Sequence, residues 1–418
     1  MEQLMEQMET VKSDVGMSWE MVKIPEVLFF MEGPGVRNTQ FTTQGVKLLN
    51  VGNINDGLLD LDATTKFISE KEAYGKYKHF LVEDGDLLIA SSGIVVDNFH
   101  NKITWAKAED LPLCMNTSTI RFKTLDSNIL DIRFFSYFLN TKLFTDQLRK
   151  LITGSAQLNF GPSHLKQISL PLPPLHIQKR IAEILDAADA LKRKDQELLK
   201  KYDELAQAIF IDMFGDPVKN EKGWEVKKLK EISIKITDGT HYSPPNQPSG
   251  IPYITAKHLK QDLIDFYCNP TYISQKDHEE IFSRCTPVRG DILYIKDGAT
   301  TGIAAVNEYD FEFSMLSSLA LIKPRKDSLN SYFLSCYLNN ENVKKELIRS
   351  YMAGAAIKRF TLDKINKFDI MLPPIELQNS FETRWKKIRQ SILAVKNSKS
   401  NNLFQTLIQK AFKGELVK

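Results

Sequence analysis

The sequence predicts a mixed α+β fold of the α/β class, assembled twice. Two tandem globular domains alternate with two long helices, which pair as an antiparallel coiled coil about an internal pseudo-two-fold axis. Three observations predict this. A stretch in the middle of the chain, 170–217, carries the apolar spacing of one long helix. The strand and helix signals before that stretch recur after it at a nearly constant offset. The second series then ends in a helix that opens on the same Leu-Pro-Pro motif.

A chain of 418 residues favours two to four domains, and 42% apolar with 26% charged residues is ordinary for a protein with real cores. The four cysteines, Cys114, Cys268, Cys285 and Cys336, form no CxxC pair and no Cys/His ligand spacing. Reduced thiols in a cytoplasmic protein without structural zinc are therefore expected. No apolar run reaches the roughly 18 residues of a membrane span, and the acidic start is not a signal peptide. No membrane partner is expected. A net charge of +3 permits nucleic-acid binding without requiring it.

Taken in order, residues 1–16 are an N-terminal segment. It either frays or forms a short amphipathic helix with Leu4, Met5, Met8 and Val11 on one face. The first domain covers 17–172. Runs 46–51 and 86–90 read as strands, the second following a Glu-Asp-Gly turn, and 103–106 and 118–122 add two more. Segments 129–140 and 142–152 read as helices.

The first long helix covers 173–214. Pro173 and Pro174 suit its first turn, where an N–H would be unpaired, while Gly215 and Pro217 end it. Its seam steps by four and three through Ile177, Ile181, Ile184, Ala188, Leu191, Leu198, Tyr202, Leu205 and Ile209, broken only by Asp195. Lys192, Arg193, Lys194, Lys200 and Lys201 fall off that line, as in a coiled coil.

The second domain, 215–372, repeats the first. Trp19, Gly45, Ile68-Ser69 and Gly85-Asp86 match Trp224, Gly250, Ile273-Ser274 and Gly290-Asp291 at an offset of 205. Leu130, Phe134, Leu139 and Asn140 match Leu329, Phe333, Leu338 and Asn339 at 199. Gly154, Phe160, Leu172-Pro173-Pro174 and Gln178 match Gly354, Phe360, Leu372-Pro373-Pro374 and Gln378 at 200. The closing segment, 373–418, is a second long helix with Leu377, Phe381, Trp385, Ile388 and Ile392 in its seam. Its period slips near 398–402 before Leu403, Leu407 and Ala411 resume it, and Arg384, Ser391, Ser398 and Asn402 make it less clean. Two such helices bury their seams best against each other.

Catalytic signatures are missing. The sequence has no phosphate loop, no glycine-rich dinucleotide or S-adenosylmethionine fingerprint, and no Asn-Pro-Pro-aromatic motif. Asp216 with Glu225 and Lys227 resembles a nuclease triplet only as far as any Lys/Glu-rich chain does. No histidine pairs with a Ser or Cys in a recognisable nucleophile motif. No catalytic residue and no metal ligand is expected.

What remains suits a reader of DNA. Where the copies agree, the residues are mainly apolar or glycine; where they differ at polar positions, they can read different bases. Gly52-Asn53 lies opposite Lys257-His258, and Ser91-Ser92-Gly93 lies opposite Lys296-Asp297-Gly298. Gln157 and Asn159 face Ile357, Lys358 and Arg359 across the repeat. Asn and Gln can bond adenine bidentately, whereas Lys and Arg reach guanine O6 and N7. Asn38, Lys47, Asn50, Lys102, His241, Tyr242, Thr300 and Thr301, polar residues at strand ends and in loops, complete the candidate set. The alternative for any one of them is a solvated loop position free to vary.

The strings LPLPPLHIQKRIAEILDAADALK and MLPPIELQNSF, the openings Trp19-Glu20 and Trp224-Glu225, and the duplicated frame together resemble the specificity (S) subunit of type I restriction–modification enzymes. The resemblance covers nearly the whole chain. It implies that 17–172 and 215–372 are target recognition domains, each reading one half of a split target in double-stranded DNA. It further implies a non-catalytic chain whose helices set the spacing and dock two modification (methyltransferase) subunits. In such complexes S-adenosylmethionine, ATP and Mg sit on partner subunits, and restriction subunits complete the assembly. Two alternatives stay open at this point. A coiled-coil scaffold without DNA readout would tolerate alanine at Lys257, Lys296, Lys358 and Arg359 together. A stand-alone DNA-modifying enzyme with diverged motifs would act on DNA unaided.

Overall fold

The computed structural model describes residues 19–94, 96–152, 159–352, 359–398 and 400–417, so segment 1–16 lies outside the described residues. The chain divides into two compact units, Met1–Asp195 with Lys399–Lys418, and Gln196–Ser398. Each unit contains one globular domain, one part of the central helix and one part of the C-terminal helical segment. Packing therefore divides the chain differently from the linear order expected above.

In the first unit a four-stranded antiparallel sheet has the order Leu28–Glu32, Thr119–Thr124, Leu87–Ala90, Ile103–Trp105. All four residues of Leu87–Ala90 are buried, so that strand reads as an unbroken apolar run. A second sheet, Phe67–Ile68, Val46–Leu49, Leu113–Met115, has one parallel pairing, of Leu48 with Cys114. Ile54–Asn55 and Leu58–Leu59 form a hairpin. Helices Ile132–Phe138 and Lys142–Leu151 start on Asp131 and Thr141, whose side chains accept first-turn N–H groups. Phe122, Phe135, Phe138 and Phe144 share one core with Ile89.

The second unit repeats this order: Ser233–Asp238, Leu319–Pro324, Ile292–Ile295, Ala304–Val306 in the larger sheet. Tyr272–Ile273, Ile251–Ile254 and Ser314–Met315 make the smaller sheet, again with one parallel pairing, Tyr253 with Ser314. The hairpin recurs as Leu259–Lys260 with Leu263–Ile264. The sequence repeat is thus a repeat of fold.

The central helix runs unbroken from Leu175 to Phe214. The glutamine of its opening motif has a defined task. In the first unit buried Gln178 accepts the Asp131 N–H and donates to the carbonyls of Ile129 and Pro173. In the second, Gln378 accepts the Asn330 N–H and donates to Ser328 and Pro373. Each glutamine ties a long helix to the start of a domain helix with two bonds and braces its own first turn with a third.

Three of the nine expected seam residues face outward: Leu191, Leu198 and Leu205 are 38%, 41% and 45% exposed, while half-buried Ile184 packs against the first unit's core. In the first unit Ile177, Ile181 and Ala188 are buried as the spacing predicts, joined by Leu185. In the second, Leu199, Tyr202, Ala206 and Ile209 are half-buried, leading to buried Phe210, Met213 and Phe214. In the second unit two stripes compete at heptad spacing, and buried Phe210 and Phe214 near the helix end favour the line of Leu199 and Ala206, leaving Leu198 and Leu205 outside.

Phe210 stacks on Phe333 at 5.7 Å and meets Phe381 edge-on at 5.5 Å. Burial raises the Asp203 pKa, and the Lys396 charge opposes that rise. Leu377, Phe381, Trp385 and Ile388 pack inward as the spacing predicts, and Ile392 is half-buried. The second helical segment is Ile375–Lys396 followed by Ser400–Phe412, with a turn at Asn397 and Ser398 where the period slips. In the first unit Phe412 stacks on Phe134 at 4.9 Å, as Phe214 meets the equivalent Phe333 at 4.8 Å in the second. Such aromatic pairs contribute about 0.5–1.5 kcal/mol each beyond their area.

Candidate nucleic-acid interface

In the second unit four loops converge at the ends of the sheet strands. Asp238 ends its strand, and Gly239 follows with no room for a side chain, since a Cβ there would lie 1.8 Å from the Met315 carbonyl oxygen. Thr240 N–H donates to Met315 O, and Ser317 N–H donates back to Thr240 O. Lys296 N–H donates to Ser318 O, while Lys296 O accepts from Phe360 N–H, and the Asp297 and Arg359 backbones pair in an isolated antiparallel bridge. The Asp238 carboxylate holds Lys296 Nζ at 3.3 Å and faces His241 Nε2 at 3.5 Å. Of the candidates named from the sequence, Lys296, His241 and Arg359 meet in this loop cluster; Thr301 bonds Gly298 O, and Asp238 was not among the candidates.

The first unit builds the same frame with other chemistry. Glu32 and Gly33 stand where Asp238 and Gly239 do, and a Cβ at Gly33 would lie 2.2 Å from Asn116 O. Glu32 Oε1 accepts the Ser118 N–H at 3.0 Å. Ser91 N–H donates to Ser118 O, as Lys296 does to Ser318. Asn159 Oδ1 accepts from Ser92 Oγ at 2.7 Å and Gly93 N–H at 2.8 Å. A small polar centre therefore replaces the cationic one. The missed signal was the acid-glycine pair recurring at an offset of 206, one step from the 205 of its neighbours.

A family model, the type I restriction modification DNA specificity domain, matches residues 17–201 and again 221–403. The chain belongs to that family. Among its relatives, the MjaIX specificity subunit of Methanocaldococcus jannaschii is 26% identical over 307 residues, covering 67% of this chain and 66% of that protein. The MjaVIII specificity subunit of the same organism is 31% identical over 196 residues, 46% of this chain and 45% of the relative. The EcoKI specificity subunit of Escherichia coli K12 is 22% identical, covering 68% and 65%. The chain thus spans less than two thirds of the length of these curated relatives. In fold it resembles the crystal structure of a type I restriction–modification S subunit from M. genitalium, with a TM-score of 0.59 at 15% identity over 96% of this chain and 98% of that one.

Within this specificity-domain frame several candidate contacts are bonded to the fold itself. Asn53 is fully buried: its Oδ1 accepts from Asn50 N–H and Thr64 Oγ1, and its Nδ2 donates to Asp60 O. His258 is fully buried in the equivalent place, accepting from Thr255 N–H and facing Asn269 O. Burial pushes its pKa below the usual histidine value. Asn50 bonds Leu48 O and Asn116. Lys102 Nζ donates to Ile54 O at 2.6 Å and Asn55 Oδ1 at 2.8 Å, and burial lowers its pKa. Ser91 is buried, with its Oγ unpaired. The bonds of Asn50, Asn53, Lys102 and His258 brace the hairpins and loop bases.

Asn38, Asn159, His241, Tyr242, Lys257, Thr300 and Arg359 are exposed, and Lys47 lies over the Phe67 ring at 4.8 Å. Gln157 and Lys358 lie outside the described residues.

The structure adds one pairing the sequence did not suggest. His278 Nδ1 is 2.9 Å from Ser314 Oγ, with Glu312 3.6 Å from Nε2. Ser314 is fully buried in a strand, so this bond braces the smaller sheet and presents no nucleophile. Cys114 and Cys285 are likewise buried, their thiols pushed up to about 12. Asp216 caps Val218 and Lys219 N–H, bonds that hold its carboxyl below the usual range. Among the described residues no group of His, Cys, Asp or Glu is placed to hold a metal, and no helix is long and apolar enough to cross a membrane.

Proposed function

We propose that this chain is the DNA sequence-recognition subunit of a cytoplasmic type I restriction–modification complex. Each recognition domain reads one half of an asymmetric bipartite target in double-stranded DNA. The helix pair sets the spacing and docks two modification subunits, directing adenine methylation and, with restriction subunits, cleavage. The chain itself is non-catalytic; S-adenosylmethionine, ATP and Mg belong to its partners. The observation that carries this reading is the single loop frame filled twice with different polar chemistry, cationic around Lys296 and amide-hydroxyl around Asn159. A palindromic target would call for two like centres.

The test is co-expression with the neighbouring modification gene and sequencing of methyladenine in the host DNA. A split, non-palindromic motif that vanishes on deletion of this gene is expected. A continuous palindrome, or no methylation and no stable complex with a methyltransferase, overturns the reading.

A further inference from the structure

A lysine that binds DNA through charge alone is an exposed ammonium on a flexible stem, free to follow phosphates. Lys296 is built otherwise. Its side chain is 12% exposed and that of its partner Asp238 is 7% exposed, with Nζ and Oδ2 3.3 Å apart. Its backbone is pinned on both sides, by Ser318 O and by Phe360 N–H. Gly239 lets the Asp238 loop lie directly against Met315 O, which fixes where the carboxylate can point. The ion pair holds the ammonium at one place, and an ammonium carries three N–H donors. By contrast exposed Lys257 has only Asn269 Oδ1 at 3.4 Å.

Resting on the proposed function, we propose that Lys296 reads a guanine in the half-site of the second domain, and that Asp238 is its positioning residue. Guanine offers two acceptors, O6 and N7, on its major-groove edge. Adenine sets an amino donor where O6 would be, which opposes an ammonium. Because Asp238 neutralises Lys296, the pair adds little to sequence-independent attraction for phosphate, and its contribution falls on discrimination. The first domain has Ser91 and a backbone-bonded Glu32 at these positions, so it lacks the device.

The experiment uses the complex of the full chain with its modification subunits. Affinity is measured across salt, on the methylated motif, on single-base variants of it and on unrelated duplex. For Lys296→Met, the preference at one G·C pair of the second half-site falls roughly ten- to hundredfold. The salt slope on unrelated DNA stays the same. Asp238→Asn frees the cation, so that slope steepens by roughly one unit while the preference at the same pair drops. Should Asp238→Asn fail to fold, the double variant Asp238→Asn with Lys296→Met removes both charges and must lose the same preference. A Lys296→Met complex that weakens equally on every sequence and shallows the slope on unrelated DNA makes Lys296 a phosphate contact and overturns the proposal. So does a double variant that keeps the preference. A wild-type complex with no split motif would instead remove the function on which the proposal rests.

Discussion

Asn53 and His258 perform one task with different side chains. Asn53 Oδ1 accepts the Asn50 N–H at 2.9 Å, and His258 Nδ1 accepts the Thr255 N–H at 3.0 Å. Each closes the turn that leads into a two-stranded hairpin. Because Nδ1 accepts, Nε2 carries the proton and donates to Asn269 O at 2.8 Å. A difference between repeats at a polar position can therefore be two solutions to one structural need.

His258→Asn should keep the accepting bond, whereas His258→Ala should cost about 1–3 kcal/mol by leaving the Thr255 N–H unpaired. Burial chiefly depresses the folded-state pKa, Lys257 and Lys260 add to it, and Asp265 and the Asn269 bond oppose it. The unfolded chain then binds the proton more readily, so stability is full above the ordinary value of about 6.5 and falls as pH drops through the folded one. Thermal melts of wild type should decline in mild acid more steeply than those of His258→Asn. Parallel curves would show that the ring does not titrate between the two states.

The repeat, four strands of the first domain and its two helices were legible because each rests on local periodicity or on a cap such as Asp131 or Thr141, whereas the order of strands in the sheets was not. The convergence of Asp238 with Lys296 was not, since it joins residues 58 positions apart through a close backbone approach at Gly239. Nor could heptad spacing choose between the stripe of Leu198 and that of Leu199. The aromatic residues near the end of the helix made that choice.

Gln178 and Gln378 should be equally indispensable. Alanine at either position removes three bonds, of which the buried ones cost about 1–3 kcal/mol for each group left unsatisfied. Chemical denaturation of Gln178→Ala and Gln378→Ala should show similar losses. A loss confined to one of them would mean that the two junctions are not equivalent.

Leu198 and Leu205 lie exposed on the second unit's part of the central helix, seven residues apart. Replacing both by Glu should change stability by no more than about 0.5 kcal/mol per site, since neither fills the core. If the helix docks modification subunits, the same variant should fail to co-purify with them while its melting temperature holds. A large drop in melting temperature would return these leucines to the folded core.

Asp262 turns the tip of the second hairpin at φ 57°, and its Oδ1 accepts from Asn339 Nδ2 at 2.7 Å and Ser335 Oγ at 3.0 Å. Burial raises its pKa, against the lowering effect of those two bonds and of the Arg389 and Lys344 charges. A folded value above the unfolded one means that the folded chain holds the proton more tightly. Its contribution is therefore greatest below the usual carboxylate range and is lost as pH rises through the folded value. Asp262→Asn keeps the accepting oxygen and removes the charge, so it should match or exceed wild type at about pH 8, the gap closing in acid. If Asp262→Asn proved less stable than wild type at that pH, attraction to Arg389 and Lys344 would outweigh desolvation, and the hairpin would be held to its domain by charge.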